Sequence, residues 1–295
     1  MQAMSNNRIR KVGIIAKSNI GEREDYVRQL IEELKKRKIE IMYDKNVAPL
    51  VSKNIGSTKS TLLARNDMVI VLGGDGTLLK TARNAPQKCA LIAAVNMGTL
   101  GFLTEFAPKD LLKKLGPVLK GNFFTDERML LRVTTYRNGK KFHTTLSLND
   151  AVINQGGFAR LITLKVEINQ RLLGNFHADG LILSSATGST GHALSAGGPI
   201  VHPRLDSFIL TPICPAKLSM RPIVIPSDRQ VSVKVETEWR RERKPIVLTI
   251  DGQITLNLRR DDVVRVRRSS RSIHMIRMNE HNYYPVLRRK LNWGE

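Results

Sequence analysis

The sequence predicts an α/β + β chain: an N-terminal doubly wound α/β domain over residues 1–128, a mostly-β domain over residues 129–270, and a tail, 271–295, that returns to the first domain. Three observations predict it. In the first third, short and almost continuously apolar runs alternate with a helical pattern, as strands buried on both faces of a parallel sheet do. After about Asp126 helical patterns nearly vanish, and short runs separated by turn residues replace them. From Tyr283 to Trp293 an amphipathic helical pattern returns and closes the chain.

Lys11–Ala16 reads as the first strand. Glu22–Lys38 follows as a helix, because Val27, Leu30, Ile31 and Leu34 fall on one face and the acidic start and lysine-rich end suit the helix dipole. Ile39–Tyr43, Met68–Leu72 and Ala90–Val95 are the second to fourth strands, with Leu78–Asn84 as a helix after the third. In the second part the predicted strands are Met129–Tyr136, Lys141–Leu148, Leu161–Ile168, Gly180–Leu183, Val231–Glu236, Ile246–Ile250 and Val263–Val266.

Composition narrows the function classes. With 41% hydrophobic residues the chain reads as globular, and no run approaches the roughly 20 apolar residues that cross a bilayer. The Val12–Ala16 run is too short for a signal peptide, so the expected location is the cytoplasm, without membrane partners. Cys89 and Cys214 have no CxxC partner and sit in no metal-ligand pattern. The 48 Lys and Arg against 26 Asp and Glu give a net charge of +22, which calls for an anionic partner. Aromatics at 5% supply few stacking platforms for single strands, and Arg265 and Arg267 alternate with Val264 and Val266 as a strand with one solvated face would. No specific nucleic acid is expected; the solvated strand face is the first reading of these arginines, and steering of polyphosphate substrates is the functional reading of the same charge.

The sharpest local signal is Gly73-Gly74-Asp75-Gly76-Thr77, directly after an apolar strand and before a helix. Glycines around one acid let the backbone approach a phosphate chain, and N–H groups at the helix start supply partial positive charge. The turn is neither a Walker loop nor a GxGxxG fingerprint. It stands at the carboxyl edge of the predicted sheet, where open α/β folds bind ligands.

GGDGT resembles the motif of NAD kinases, of diacylglycerol and sphingosine kinases and, with Ser last, of phosphofructokinases. Asn96 to Glu105, reading NMGTLGFLTE, resembles the N-x-G-x-L-G-F-L-T signature of the NAD kinase family in particular. Asn149-Asp150, the stretch from Asp179-Gly180 to Ser195-Ala196-Gly197-Gly198-Pro199-Ile200, and Asp251-Gly252-Gln253 follow in that family's order. The resemblance implies transfer of the γ-phosphoryl group of ATP to the 2′-hydroxyl of the adenosine ribose of NAD, giving NADP and ADP. It implies Asp75 as the catalytic acceptor of the hydroxyl proton, and Gly74, Gly76 and Thr77 as part of the nucleotide cradle. Asn149, Asp150, Arg160, His177, Asp179, Thr190, Gly191, His192, Ala193, Ser195 and Gln253 are implied to bind the dinucleotide. His192 stands where the family carries a Tyr, as a weaker and pH-sensitive stacking partner or as a filler of the same space. Mg2+ is expected to arrive with ATP, and no residue is assigned as a metal ligand. The family also implies a homo-oligomer, a dimer or tetramer. A diacylglycerol-type lipid kinase and a basic nucleotide or nucleic-acid binding regulator are the alternatives.

Overall fold

The computed structural model describes residues 8–18, 21–52, 56–98, 101–155, 161–237, 245–278 and 283–292. The chain forms two compact units, one of the residues up to Glu127 with those from Arg271 onward, the other Arg128–Ser270.

The first unit is built from β1 (Lys11–Ala16), α1 (Glu24–Lys36), β2 (Glu40–Tyr43), α2 (Lys59–Arg65), β3 (Met68–Gly73), α3 (Asp75–Ala82), β4 (Leu91–Asn96) and α4 (Pro108–Leu119). Its strands run parallel in the order β2-β1-β3-β4. The apolar stripe of α1 and Leu111, Leu115, Val118 and Leu119 of α4 pack with Val12, Ile14, Met68, Ile70 and Ala93 in one core. Strand side chains alternate between faces, and a Cβ on Gly13 would meet Leu62 of α2 at 3.3 Å, so α2 covers the opposite face. The domain is therefore doubly wound. Its strand order reverses direction between β1 and β3, which makes their carboxyl ends the ligand-binding edge of such a sheet.

The second unit carries β5 (Phe124–Arg137), β6 (Lys140–Ser147), β7 (Asp150–Gln155), β8 (Ile162–Ile168), β9 (Arg171–Ala178), β10 (Gly180–Ser185), α5 (His192–Ser195), β11 (Ser207–Ile213), β12 (Ile223–Pro226), β13 (Val231–Val235), β14 (Ile246–Ile250), β15 (Ile254–Leu258) and β16 (Val263–Arg277). β5 begins, and β16 ends, in the first unit. An antiparallel sheet in the order β12-β11-β10-β7-β14-β15 faces a second layer containing β16-β13-β8-β9. Alternate residues of both layers, among them Ile153, Leu183 and Leu248 against Val166, Val233 and Val264, form a single core. α6 (Tyr283–Leu291) ends the described chain, and Met275 of β16 pairs with Ile92 of β4 in parallel.

Several boundaries differ from the sequence pattern for local reasons. α1 starts at Glu24, after a 3-10 turn at Gly21–Arg23. α3 starts at Asp75 itself, three residues earlier than the apolar pattern indicates, with Gly74 as its N-cap. α2 and α4 were not predicted: α2 is a seven-residue helix capped by the Thr58 side chain accepting from the Thr61 N–H, and α4 carries Pro117 near its end. β7, β9, β11, β12 and β15 are further strands that the sequence pattern did not show.

Candidate active site

β3 is buried along its whole length and delivers Gly73, Gly74 and Asp75 to the sheet edge. β4 lies beside it in parallel register, Gly73 opposite Asn96, so the two glycine-rich motifs emerge side by side. Asn96 Oδ1 accepts from the Gly98 N–H at 2.9 Å, and the Met97 N–H reaches the Gly73 carbonyl at 3.3 Å, which ties the loops together. A Cβ on Gly73 would run into the Thr77 side chain; at Gly74 and Gly98 a Cβ would meet open space. Gly73 is thus a packing glycine, and Gly74 and Gly98 flank a free approach to the backbone.

Asp75, half-buried, accepts from the Phe102 N–H at 2.9 Å through Oδ2 and from the Leu103 N–H at 3.2 Å through Oδ1. A methyl group at Gly101 would overlap the Asp75 carboxylate. The carboxylate is therefore clasped by its own unit, yet each oxygen has a second lone pair to offer. Thr99 and Leu100 lie outside the described residues.

In the β unit the Asn149-Asp150 pair sits where β6 turns into β7. Asp251 organises that turn: its Oδ1 accepts from Ser147 Oγ at 2.6 Å and from the Asn149 and Asp150 N–H groups at 2.9 and 3.3 Å, and Oδ2 accepts from the Leu148 N–H at 3.3 Å. It reaches them because Asp251 and Gly252, at φ 49° and 64°, close the β14–β15 hairpin in the left-handed region, one that favours Gly and tolerates Asp. The Thr187–Thr190 turn after β10 is pinned to the same place, since the Gly188 N–H donates to Ser185 Oγ at 3.1 Å and a Cβ on Gly188 would strike the Asn149 carbonyl.

These elements surround a pocket of about 380 Å3 lined by Asn149, Asp150, Val152, Asn154, His192, Thr249, Asp251 and Gly252. Asn149 Oδ1 and Asn154 Oδ1 are buried without a hydrogen-bond partner among the described residues, a cost that a ligand donor would remove. Of the residues expected here, Asn149, Asp150 and His192 line the pocket, and Gly191 lies against the Asn149 amide. Ala193 is fully buried and packs with Val152 and Ile182 beneath it. Thr190 is half-buried, Ser195 is exposed, and Gln253 follows the hairpin turn with its N–H on the Ile250 carbonyl. His177 is exposed on β9, with Nδ1 3.1 Å from Thr163 Oγ1; Asp179, in the next turn, donates its N–H to the Ile213 carbonyl; neither lines the pocket. Arg160 lies outside the described residues. The sequence reading placed Asp251 and Gly252 in a family motif without giving them a site role, and it did not single out Asn154 or Thr249, which also line the pocket.

Burial, reinforced by the negative Asp251 beside it, pushes Asp150 from 3.8 up to about 7. The unfolded chain releases this proton above about pH 4 and the folded chain holds it to about pH 7, so stability falls as pH rises through that window and the loss is complete above it. Asp150→Asn is expected to flatten this slope, with a smaller fall in Tm between about pH 5 and about pH 8 than the unmodified chain shows. Parallel slopes would assign the pH dependence to another group.

Among the described residues no three or more His, Cys, Asp or Glu stand together as a metal site, and no helix is long and apolar enough to cross a membrane.

Comparison with known proteins agrees with this architecture. Residues 12–123 match the ATP-NAD kinase N-terminal domain and residues 148–278 the ATP-NAD kinase C-terminal domain. The chain is 38% identical to the NAD kinase of Geotalea daltonii over 287 residues, 97% of this chain and 100% of that one. It is 40% identical to the NAD kinase of Geobacter sulfurreducens over 288 residues, again 97% and 100%. The crystal structure of yeast NADH kinase complexed with NADH shares the fold, with a TM-score of 0.88 at 24% identity over 98% of this chain and 89% of that one. An NAD kinase from Archaeoglobus fulgidus in complex with ATP superposes with a TM-score of 0.73 at 23% identity, over 94% and 98%. These relatives do not favour the lipid-kinase or regulator readings. With both domains matched in order and full-length relatives near 40% identity, the chain belongs to the NAD kinase family.

Proposed function

We propose that the chain transfers the γ-phosphoryl group of ATP to the 2′-hydroxyl of the adenosine ribose of NAD, giving NADP and ADP, with Asp75 accepting the hydroxyl proton. The observation that carries this reading is the presentation of Asp75: an acid at the ligand-binding edge of the sheet, oriented by two backbone N–H groups, with acceptor capacity left for a substrate hydroxyl. Phosphoryl transfer needs positioning and charge stabilisation and no covalent nucleophile. Gly74, Gly76 and Thr77 stand at the start of α3 and cradle phosphate oxygens there. Asn149 and Asp150, with His192 beside them, hold the dinucleotide; the unpartnered Asn149 and Asn154 oxygens supply acceptors for its amino or hydroxyl groups. Arg160, His177, Asp179, Thr190, Gly191, Ala193, Ser195 and Gln253 complete or support that binding region. Mg2+ enters with ATP, held largely by phosphate oxygens and water. The reading includes work in the cytoplasm and assembly into a homo-oligomer, which the exposed Leu172 and Leu173 on the edge strand β9 support.

The test is a product assay with ATP, Mg2+ and either NAD or an NAD analogue whose adenosine ribose lacks the 2′-hydroxyl. NAD is expected to yield NADP, and the analogue no phosphorylated product. Phosphorylation of the analogue, or of diacylglycerol in place of NAD, would overturn the assignment.

A further inference from the structure

Asp75 is oriented by backbone donors on a loop, so something must hold that loop to better than an ångström. One end is fixed on β4: the Asn96 N–H donates to the Phe106 carbonyl at 2.8 Å, and the Glu105 and Phe106 N–H groups both donate to the Ala94 carbonyl at 3.1 Å. The stretch carrying Phe102 and Leu103 lies beyond these bonds and needs a second anchor.

Arg277, the last residue of β16, provides one. Its Nη1 donates to the Leu103 carbonyl at 3.3 Å and to Glu105 Oε2 at 3.1 Å, while its Nε donates to Asp126 Oδ2 at 3.1 Å. The other Glu105 oxygen accepts from the Met278 N–H at 3.0 Å, which clamps the acid from both sides. All three charged side chains are nearly buried, at 11% exposure for Arg277 and Asp126 and 5% for Glu105, so solvent competes little for these bonds. Leu103 therefore has its carbonyl held by Arg277 and its N–H committed to Asp75. Lys290 of α6 stands over the Phe102 ring of the same loop, 6.0 Å from its centre.

We propose that Arg277 is a positioning residue for the phosphoryl-transfer step: by fixing Leu103 and Glu105 it aims the Phe102 and Leu103 N–H groups that orient the Asp75 carboxylate. The planar guanidinium suits the task because it meets three acceptors in fixed directions, which a lysine ammonium on a flexible stem does not reproduce. The proposal rests on the assignment of Asp75 as the proton acceptor.

Arg277→Lys keeps the charge and loses the fork. It is expected to lower kcat about tenfold or more, the scale on which small misplacements at a reacting centre act, with KM for NAD within about threefold of the unmodified value. Amide hydrogen exchange in the full chain is expected to quicken over residues 101–106 and to stay unchanged in β3 and β4. Glu105→Gln, which leaves Arg277 in place and weakens its grip, is expected to move both readouts the same way by less. An unchanged kcat in Arg277→Lys, or faster exchange spread through β3 and β4, would overturn the proposal, the second by showing a general role in stability. If Asp75→Asn retains full turnover while Arg277→Lys still loosens residues 101–106 alone, the Asp75 assignment has failed and the loop anchor has not.

Discussion

Asp251→Ala is expected to destabilise the chain by about 2–6 kcal/mol, because the N–H groups of Leu148, which is buried, and Asn149, which is half-buried, lose their acceptor at a cost of ~1–3 kcal/mol each, while Ser147 Oγ keeps the Asp150 carbonyl at 2.9 Å. The weaker bond from the Asp150 N–H goes with them, and alanine is a poor occupant of the left-handed backbone at this position. One effect runs the other way: the Asp251 charge helps push Asp150 up, and its removal relieves that repulsion. The lost hydrogen bonds outweigh the relief, since burial is the larger cause of the Asp150 shift. Because Asp251 lines the pocket and sets the Asn149-Asp150 turn, the same substitution is expected to raise KM for NAD at least about tenfold, the equivalent of ~1.4 kcal/mol. Asp251→Asn, which retains one acceptor and tolerates the left-handed conformation, is expected to fall between the two. Denaturant unfolding and NAD saturation curves measure both quantities. A loss under about 1 kcal/mol for the alanine variant would mean that water replaces the carboxylate at little cost.

What the sequence made legible follows from how local each signal is. The parallel strands of the first domain, β1, β3 and β4, announce themselves by uninterrupted apolar runs, and α1 by four residues on one face. α2 and α4 went unread although their cues are present, Thr58 before a helix of seven residues and the Leu111, Leu115, Val118 spacing around Gly116 and Pro117. β16 was seen only as Val263–Val266 because its alternation slips at Arg267 and Arg268, both exposed, before Ser269 turns inward. The motifs named Asn149, Asp150 and His192, which line one pocket, since each sits in a short pattern of its own. Asp251 and Arg277 were not readable as site residues: their partners lie about a hundred or more positions away, and only the pairing of β7 with β14 and of β4 with β16 brings them near. Ala193 shows that a motif position can serve by filling the core under a pocket as well as by touching a ligand.

The second large effect is expected at Asp75. Replacing it with Asn keeps the size of the side chain and removes its capacity to take a proton, so turnover is expected to fall about 1,000-fold, within the ~10²–10⁴ range typical of a general base. The amide has one oxygen for the two N–H donors of Phe102 and Leu103, so the loop loosens as well; the Arg277→Lys loss marks how much of the fall that loosening explains. The pocket of the β unit, which the proposed function gives to the dinucleotide, is lined by none of these residues, so NAD affinity is expected to stay within a few-fold. The decisive measurement is the single-turnover rate of phosphoryl transfer from ATP to NAD at saturating concentrations of both. A rate about 1,000-fold below that of the unmodified chain, with NAD still bound, is the predicted result; a rate within about tenfold would remove Asp75 from the chemistry and contradict the account.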